Sequence, residues 1–388
     1  ATIVKVEGMH RIADTFGPIP YVNYGSSSLY DALDLVYNKF FEELDNAIEV
    51  LSNYVNGNVD AKLMSDYDCV YGGDVEKWVK FANTLRLRLA IRVSYANPTL
   101  AEAQAKKSME NMFGFIESKA ERAELSHNSL EYHHPLHEIA YNFNSGDCRP
   151  GATIVAYLNG LNDSRISSYF TAADDGEYHG VRIGITTSNM SNYQGNKISN
   201  LNINRASTPV VWMTAAESFF LRAEGALRGW DMGGTAKSFY EQGVRMSFEE
   251  NNAAGVDDYL ADHTSTPGAF ADNVGSDNYT FSSRVTPAWD DNAGFEAQLE
   301  RIITQKWIAN YPDGPEGWSE YRRTGYPEVI PVVRNSSNGT IDTQLQVRRL
   351  PYTRDEKINN ASGVASGISA LGGQDTGGTK LWWDKKSR

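Results

Sequence analysis

The chain lacks any apolar run of the roughly 18 residues that a membrane-crossing helix needs. It has two cysteines in 388 residues, Cys69 and Cys148. Their separation fits no metal or redox motif, and whether they pair is left open. Basic residues are outnumbered, 36 against 49 acidic, for a net charge of −13. That balance argues against nucleic acid or an anionic membrane surface as a partner. Arg86, Arg88 and Arg92 do not reverse it, because they sit inside an apolar helical pattern. The chain has no Gly-x-Ser-x-Gly elbow, P-loop or dinucleotide fingerprint, which lowers the expectation of an enzyme.

Aromatics are plentiful, at 11% with 21 Tyr and 8 Trp. These rings combine an apolar face with a polar edge, which suits amphipathic ligands such as sugars, although burial is their default role. The most organised stretch is 299–327. Leu299, Ile302, Ile303, Trp307 and Ile308 recur at helical spacing. Pro312 should stop that helix near Tyr311, and Asp313-Gly314-Pro315 reads as a turn. A second segment then carries Trp318, Tyr321, Arg322 and Arg323, with the arginines expected on carbonyls or carboxylates.

Residues 1–11 read as a helix, 16–20 as a rigid loop, and 29–51 as a long amphipathic helix capped by Ser26–Ser28. Trp78, Ala82, Leu85 and Leu89 open a helical hairpin continued by Ala101, Ala105 and Met109. Trp212, Ala216, Phe219 and Ala223 open another, continued by Ala236, Tyr240 and Gly243. Alternating large and small residues is the packing pattern of tetratricopeptide-type helix pairs. The two pairs are not in tandem, so a plain solenoid is excluded. The expected architecture is all-α. A helical scaffold (about 1–112, 209–251 and 293–327) carries loop-rich insertions (about 113–207 and 252–292) and a tail (328–388). Only 152–161 looks helical within the first insertion. Loops this long are usually functional or disordered, so ligand contacts are expected there.

His127, His133, His134 and His137 cluster in sequence. Pro135 interrupts the helix that would align two of them, so capping is preferred to a metal site. Asp174, Asp175 and Glu177, the pair Asp257 and Asp258, and Asp290 with Asp291 form acidic loops. None has EF-hand spacing; no cofactor is expected, and a structural calcium is the one alternative. Glycosidase chemistry needs two opposed carboxylates. Glu217 and Glu224 lie seven positions apart on one helix, but pairing with nearby arginines explains them better. Sugar capture without chemistry needs only exposed rings and polar neighbours. The candidates are Tyr141, Phe143, Tyr178, Tyr193, Tyr279 and Trp289, with Asn144, Asp147, Arg149 and Asp290 beside them. Trp289 is the first choice, because polar turn residues surround it. Trp78, Trp212, Trp307 and Trp318 are assigned to packing.

Several blocks resemble the SusD/RagB family of outer-membrane nutrient-binding lipoproteins. They include DTFGPIPY at 14–21, KWVKFANTLRLRLAIRVS at 77–94 and GATIVAYLNGLNDSRISSYF at 151–170. PVVWMTAAESFFLRAEGALRGW at 209–230, QKWIA followed by W-x-E-YRRTGYP within 299–327, RRLPYTRDE at 348–356 and TKLWWD at 379–384 follow in the family's order. The resemblance implies a single domain over 1–388 with tetratricopeptide-like helix pairs. It implies a lipid-anchored position on the outer face of a Gram-negative outer membrane, with a signal sequence, a lipidated cysteine and further helices upstream. It also implies a SusC-like TonB-dependent transporter as partner, an oligosaccharide as ligand, and no catalysis. The matching blocks are mainly scaffold, so no binding residue carries over. The alternatives are a peptide- or protein-binding helical scaffold and an α-helical glycoside hydrolase.

Overall fold

A computed structural model describes residues 1–58, 60, 62–125, 134–142, 148–185, 191–204, 207–272 and 275–387. The first block holds four helices: α1 (Thr2–Phe16), α2 (Leu33–Gly57), α3 (Val75–Arg92) and α4 (Pro98–Glu110). Strand β1 (Ala123–Leu125) follows, then α5 (Pro135–His137), which continues as a π-helical turn at Glu138–Asn142. Next come α6 (Ala152–Gly160), α7 (Ile166–Tyr169), β2 (Phe170–Thr171), β3 (Asn200–Leu201) and β4 (Val210–Met213). The remaining helices are α8 (Ala215–Leu227), α9 (Ala236–Glu250), α10 (Val256–Leu260), α11 (Phe295–Ala309), α12 (Gly314–Thr324), α13 (Arg354–Asn359) and α14 (Ala361–Leu371). Strands β1 and β4 pair antiparallel, as do β2 and β3.

The two expected helix pairs are present. Helix α3 packs on α2 and α4, while α8 packs on α9 and α11. Small residues permit the close approach. Ala82, Ala101, Ala105, Ala216 and Ala223 are wholly buried. A Cβ on Gly243 of α9 would lie 2.8 Å from the Phe220 ring of α8. Two apolar clusters result. One joins α1–α4 with Trp383 from the tail, and the other joins α6, α8, α9 and α11.

Between them lies a buried network of charges organised by α11 and α12. Arg88 of α3 grips Glu217 of α8 at 2.8 and 2.6 Å. Arg92 donates to Glu320 at 2.7 Å and to Glu316 at 2.5 Å. Lys306 of α11 reaches Glu316 at 2.9 Å. Arg323 chelates Glu224 of α8 at 2.6 and 2.7 Å and also binds Glu320. Its neighbour Arg322 donates instead to the Asp14 and Arg348 carbonyls at 2.6 and 2.9 Å, with its guanidinium 3.6 Å from the Trp318 ring centroid. One short helix therefore ties α3, α8, α11 and α1 together, through both kinds of arginine contact that its sequence suggests.

Two helix boundaries and the tail differ from expectation. Helix α1 continues to Phe16 and ends at Gly17, whose φ of 94° suits glycine. Helix α2 begins at Leu33 rather than 29, because Asp31 accepts the Tyr21 and Val22 amides at 2.9 and 2.7 Å and holds the preceding residues in a separate turn. The tail is more ordered than its composition suggests. It contains α13 and α14, and it returns Trp383 to the core, where its indole donates to Asp14 at 2.8 Å.

Candidate functional site

The ring ranked first from the sequence belongs to the core. Trp289 is only 7% exposed, and its ring centroid is 5.3 Å from that of Tyr240. The polar residues beside it do make a turn, with Asp290 accepting the Asn292 amide at 2.9 Å. That turn directs the indole inward, towards α9. Tyr193 is buried as well, and its hydroxyl donates to Asp272 at 2.8 Å, joining the two insertions. Tyr279 is half-buried, bonded to Glu328 at 2.8 Å, with the Arg182 guanidinium 5.6 Å from its ring centroid. Tyr178 packs against the core, and its carbonyl accepts from Asn159. Arg149 is half-buried. Phe143, Asn144 and Asp147 lie outside the described residues.

Tyr141 alone among the described candidate rings keeps a large exposed surface, at 38%. Its setting follows from the local sequence. His134 caps α5 by accepting the Leu136 amide on Nδ1 at 3.2 Å, and Pro135 occupies the first turn, where a missing N–H costs nothing. Pro135 thus starts a helix rather than interrupting one. His137 and Tyr141, four apart, stack with centroids 4.7 Å apart and planes at 34°. The Tyr141 hydroxyl donates to the Leu201 carbonyl of β3, which holds the ring's orientation. Ile139, two positions earlier, is 43% exposed, and Asn142 donates to Glu138 at 2.7 Å. Behind this platform Tyr311 packs on Tyr169 and Phe170, at 4.7 and 5.1 Å. An oriented, partly exposed ring with amide and carboxylate groups in the same turn is suited to a sugar face and its hydroxyls. The histidine spacing was the usable signal for this pair, through stacking rather than through metal chemistry.

The carboxylates weighed for hydrolysis are arranged differently. Glu217 and Glu224 are buried within the ion-pair network. Burial alone would raise the Glu224 carboxyl, but Arg323 and Arg228 outweigh it and hold the group down at about 2. Glu316 is likewise held well below the usual carboxylate range by Arg92, Lys306 and Arg88 against the effect of burial. A general acid requires the opposite shift, in a cleft. Burial raises Glu250 to about 7, yet its carboxylate caps α8, accepting the Ala215 amide at 2.9 Å. The acidic loops make surface contacts: Asp175 accepts a hydrogen bond from His179, and Asp257 and Asp291 form ion pairs with Arg245 and Lys237. Among the described residues, no group of three or more His, Cys, Asp or Glu could hold a metal ion.

No helix among the described residues is long and apolar enough to cross a membrane. A comparison with curated proteins returns no match. Among solved structures, the chain is similar to a chitin-binding SusD homologue from Flavobacterium johnsoniae, with 42% identity and a TM-score of 0.95, over 100% of this chain and 80% of that one. It is also similar to a SusD homologue from Bacteroides uniformis, at 43% identity and a TM-score of 0.92, over 99% and 80% of the respective chains. A SusD-like protein from Bacteroides thetaiotaomicron matches at 40% identity and a TM-score of 0.92, over 100% and 81%. A family model for SusD-like proteins, the SusD and RagB outer-membrane lipoproteins, matches residues 1–384. With that match over almost its whole length, the chain belongs to the SusD-like family of outer-membrane lipoproteins.

Proposed function

We propose that this chain captures a neutral oligosaccharide at the cell surface and releases it unaltered to a SusC-like TonB-dependent transporter. On this reading the protein is held to the outer membrane by a lipid anchor upstream of Ala1. The favoured ligands are oligosaccharides of N-acetylglucosamine. The observation that carries the reading is the likeness, at 42% identity over all of this chain, to a homologue described as chitin-binding. The His137–Tyr141 platform supports it by offering an oriented ring that a pyranose face can cover. The burial and ion pairing of Glu217, Glu224, Glu316 and Glu320 support the non-catalytic part, since each faces a basic partner in the interior rather than a cleft.

Calorimetric titration with neutral oligosaccharides of several linkages tests the ligand class. Saturable binding of N-acetylglucosamine oligomers is expected. Binding confined to peptides would replace this reading with the helical-repeat peptide binder.

A further inference from the structure

At the opposite end of α2 from the Asp31 turn, a pocket of about 210 Å³ opens between the C-terminal end of α2 and the N-terminal end of α3. One wall is fixed by its own contacts. Lys80 bridges Glu121 at 2.6 Å and Glu76 at 3.3 Å, and Lys77 donates to the Ala120 carbonyl at 2.8 Å. The other rim carries Asn58, Asp60 and Lys62, all exposed. Val55 supplies the apolar part of the lining.

The rim continues into an ordered loop, residues 62–74. Asp68 organises it, accepting the Val70, Tyr71 and Gly73 amides at 2.8–3.1 Å and the Trp78 indole N–H at 2.7 Å. Closure depends on Gly73, with φ at 86°, where a Cβ would lie 2.7 Å from the Leu63 carbonyl oxygen. The loop holds Met64 and Tyr67 outward, 73% and 80% exposed. Val70 and Tyr71 pack the same loop onto the α1–α4 core, with the Tyr71 ring centroid 5.2 Å from that of Trp78.

The pocket's charges nearly balance, with Lys62, Lys77 and Lys80 against four carboxylates. A strongly charged ligand of either sign therefore gains little there. The exposed rim groups of Asn58, Asp60 and Lys62 beside the small Val55 patch suit the hydroxyls of a neutral polyol, and the volume is that of about seven waters, the size of one sugar ring.

We infer that this pocket holds a single sugar unit, as a glycan contact separate from the His137–Tyr141 platform. The inference rests on the oligosaccharide reading for its ligand class. It is tested by titrating N-acetylglucosamine and its oligomers into the wild type, Tyr141→Ala, Lys62→Ala and the double variant Lys62→Ala/Glu76→Gln. Heteronuclear NMR of the amides of 55–80 provides the site readout, and thermal melting reports folding. Lys62→Ala alters only an exposed rim residue, so it stays informative if the double variant folds poorly.

The expected result is sugar-dependent shifts of these amides that persist in Tyr141→Ala. Affinity for the unit that causes them should fall about fivefold on losing one or two hydrogen bonds in the rim variants. Sugar binding that Tyr141→Ala weakens, with no shifts in 55–80 and no effect of the rim variants, would overturn the pocket and leave the main reading intact. Shifts in 55–80 produced by free amino acids but not by sugars would also overturn it. Absence of all sugar binding by the wild type would sink both.

Discussion

Tyr141 is the side chain on which ligand affinity should depend most directly. Replacing it with alanine removes the exposed face but little of the core. Tyr141→Ala should weaken oligosaccharide binding about tenfold, the ~1–1.5 kcal/mol of one aromatic contact. Tyr141→Phe keeps the ring but loses the Leu201 contact that orients it, so it should fall between the wild type and Tyr141→Ala in the same titration. Trp289 should behave in the opposite way. Trp289→Ala opens the core beside Tyr240 and should cost ~3–5 kcal/mol in urea unfolding, with glycan affinity unchanged in the fraction that remains folded. The sequence around Trp289 is that of an exposed turn, and the turn exists. The direction of its ring is set by α9, about fifty positions earlier in the chain, which no local pattern reports. Tyr141 carried a weaker local signal, its spacing of four from His137.

Two buried groups make stability depend on pH at this same scale. Burial raises Glu250 from 4.5 to about 7, so the folded chain holds that proton more tightly than the unfolded one. Stability should therefore fall as pH rises from about 4.5 towards 7. Glu250→Gln should remove that fall while keeping an acceptor for the α8 amides, as urea midpoints at several pH values would reveal. Burial, helped by Arg11, lowers His10 from 6.5 to about 3. The unfolded chain then takes the proton first, and this contribution to stability is lost as pH drops from 6.5 towards 3.

Among elements, α12 has the largest mechanical role for its size. Arg323→Met would leave Glu224 and Glu320 without their shared partner. The expected loss is ~3–5 kcal/mol, because uncompensated buried charge costs more than a pair contributes. A smaller loss, ~1–3 kcal/mol, is expected for Gly243→Ala, since the added methyl meets the Phe220 ring between α8 and α9. Thermal or urea unfolding measures both. The helix pairs and the α11–α12 stretch were legible because periodicity, small residues and turn chemistry all agree there. The start of α2 was not, because Asp31 serves a turn that closes back on Tyr21. Nor was α14, whose Ala-Ser-Gly composition is poor for an isolated helix. It is held by the Asn360 cap and by Val364 packed with Tyr30 and Tyr352.

At the scale of the whole molecule, a helical framework is fixed by buried charges, and the exposed Tyr141 ring lies on a long segment connecting its helices. Family membership was legible because the matching blocks are mainly the framework, including Lys306, Glu320 and Arg323. Which candidate rings stay exposed was less so. Rings that anchor a loop and rings left exposed on one have the same local sequence, and only tertiary packing separates Tyr193 from Tyr141. The central claim, capture without cleavage, is tested most directly by passing N-acetylglucosamine oligomers over the immobilised chain while assaying the eluate for new reducing ends. The account predicts retarded elution, no new reducing ends, and clearly weaker retention on Tyr141→Ala. New reducing ends, or retention that Tyr141→Ala leaves untouched, would contradict it.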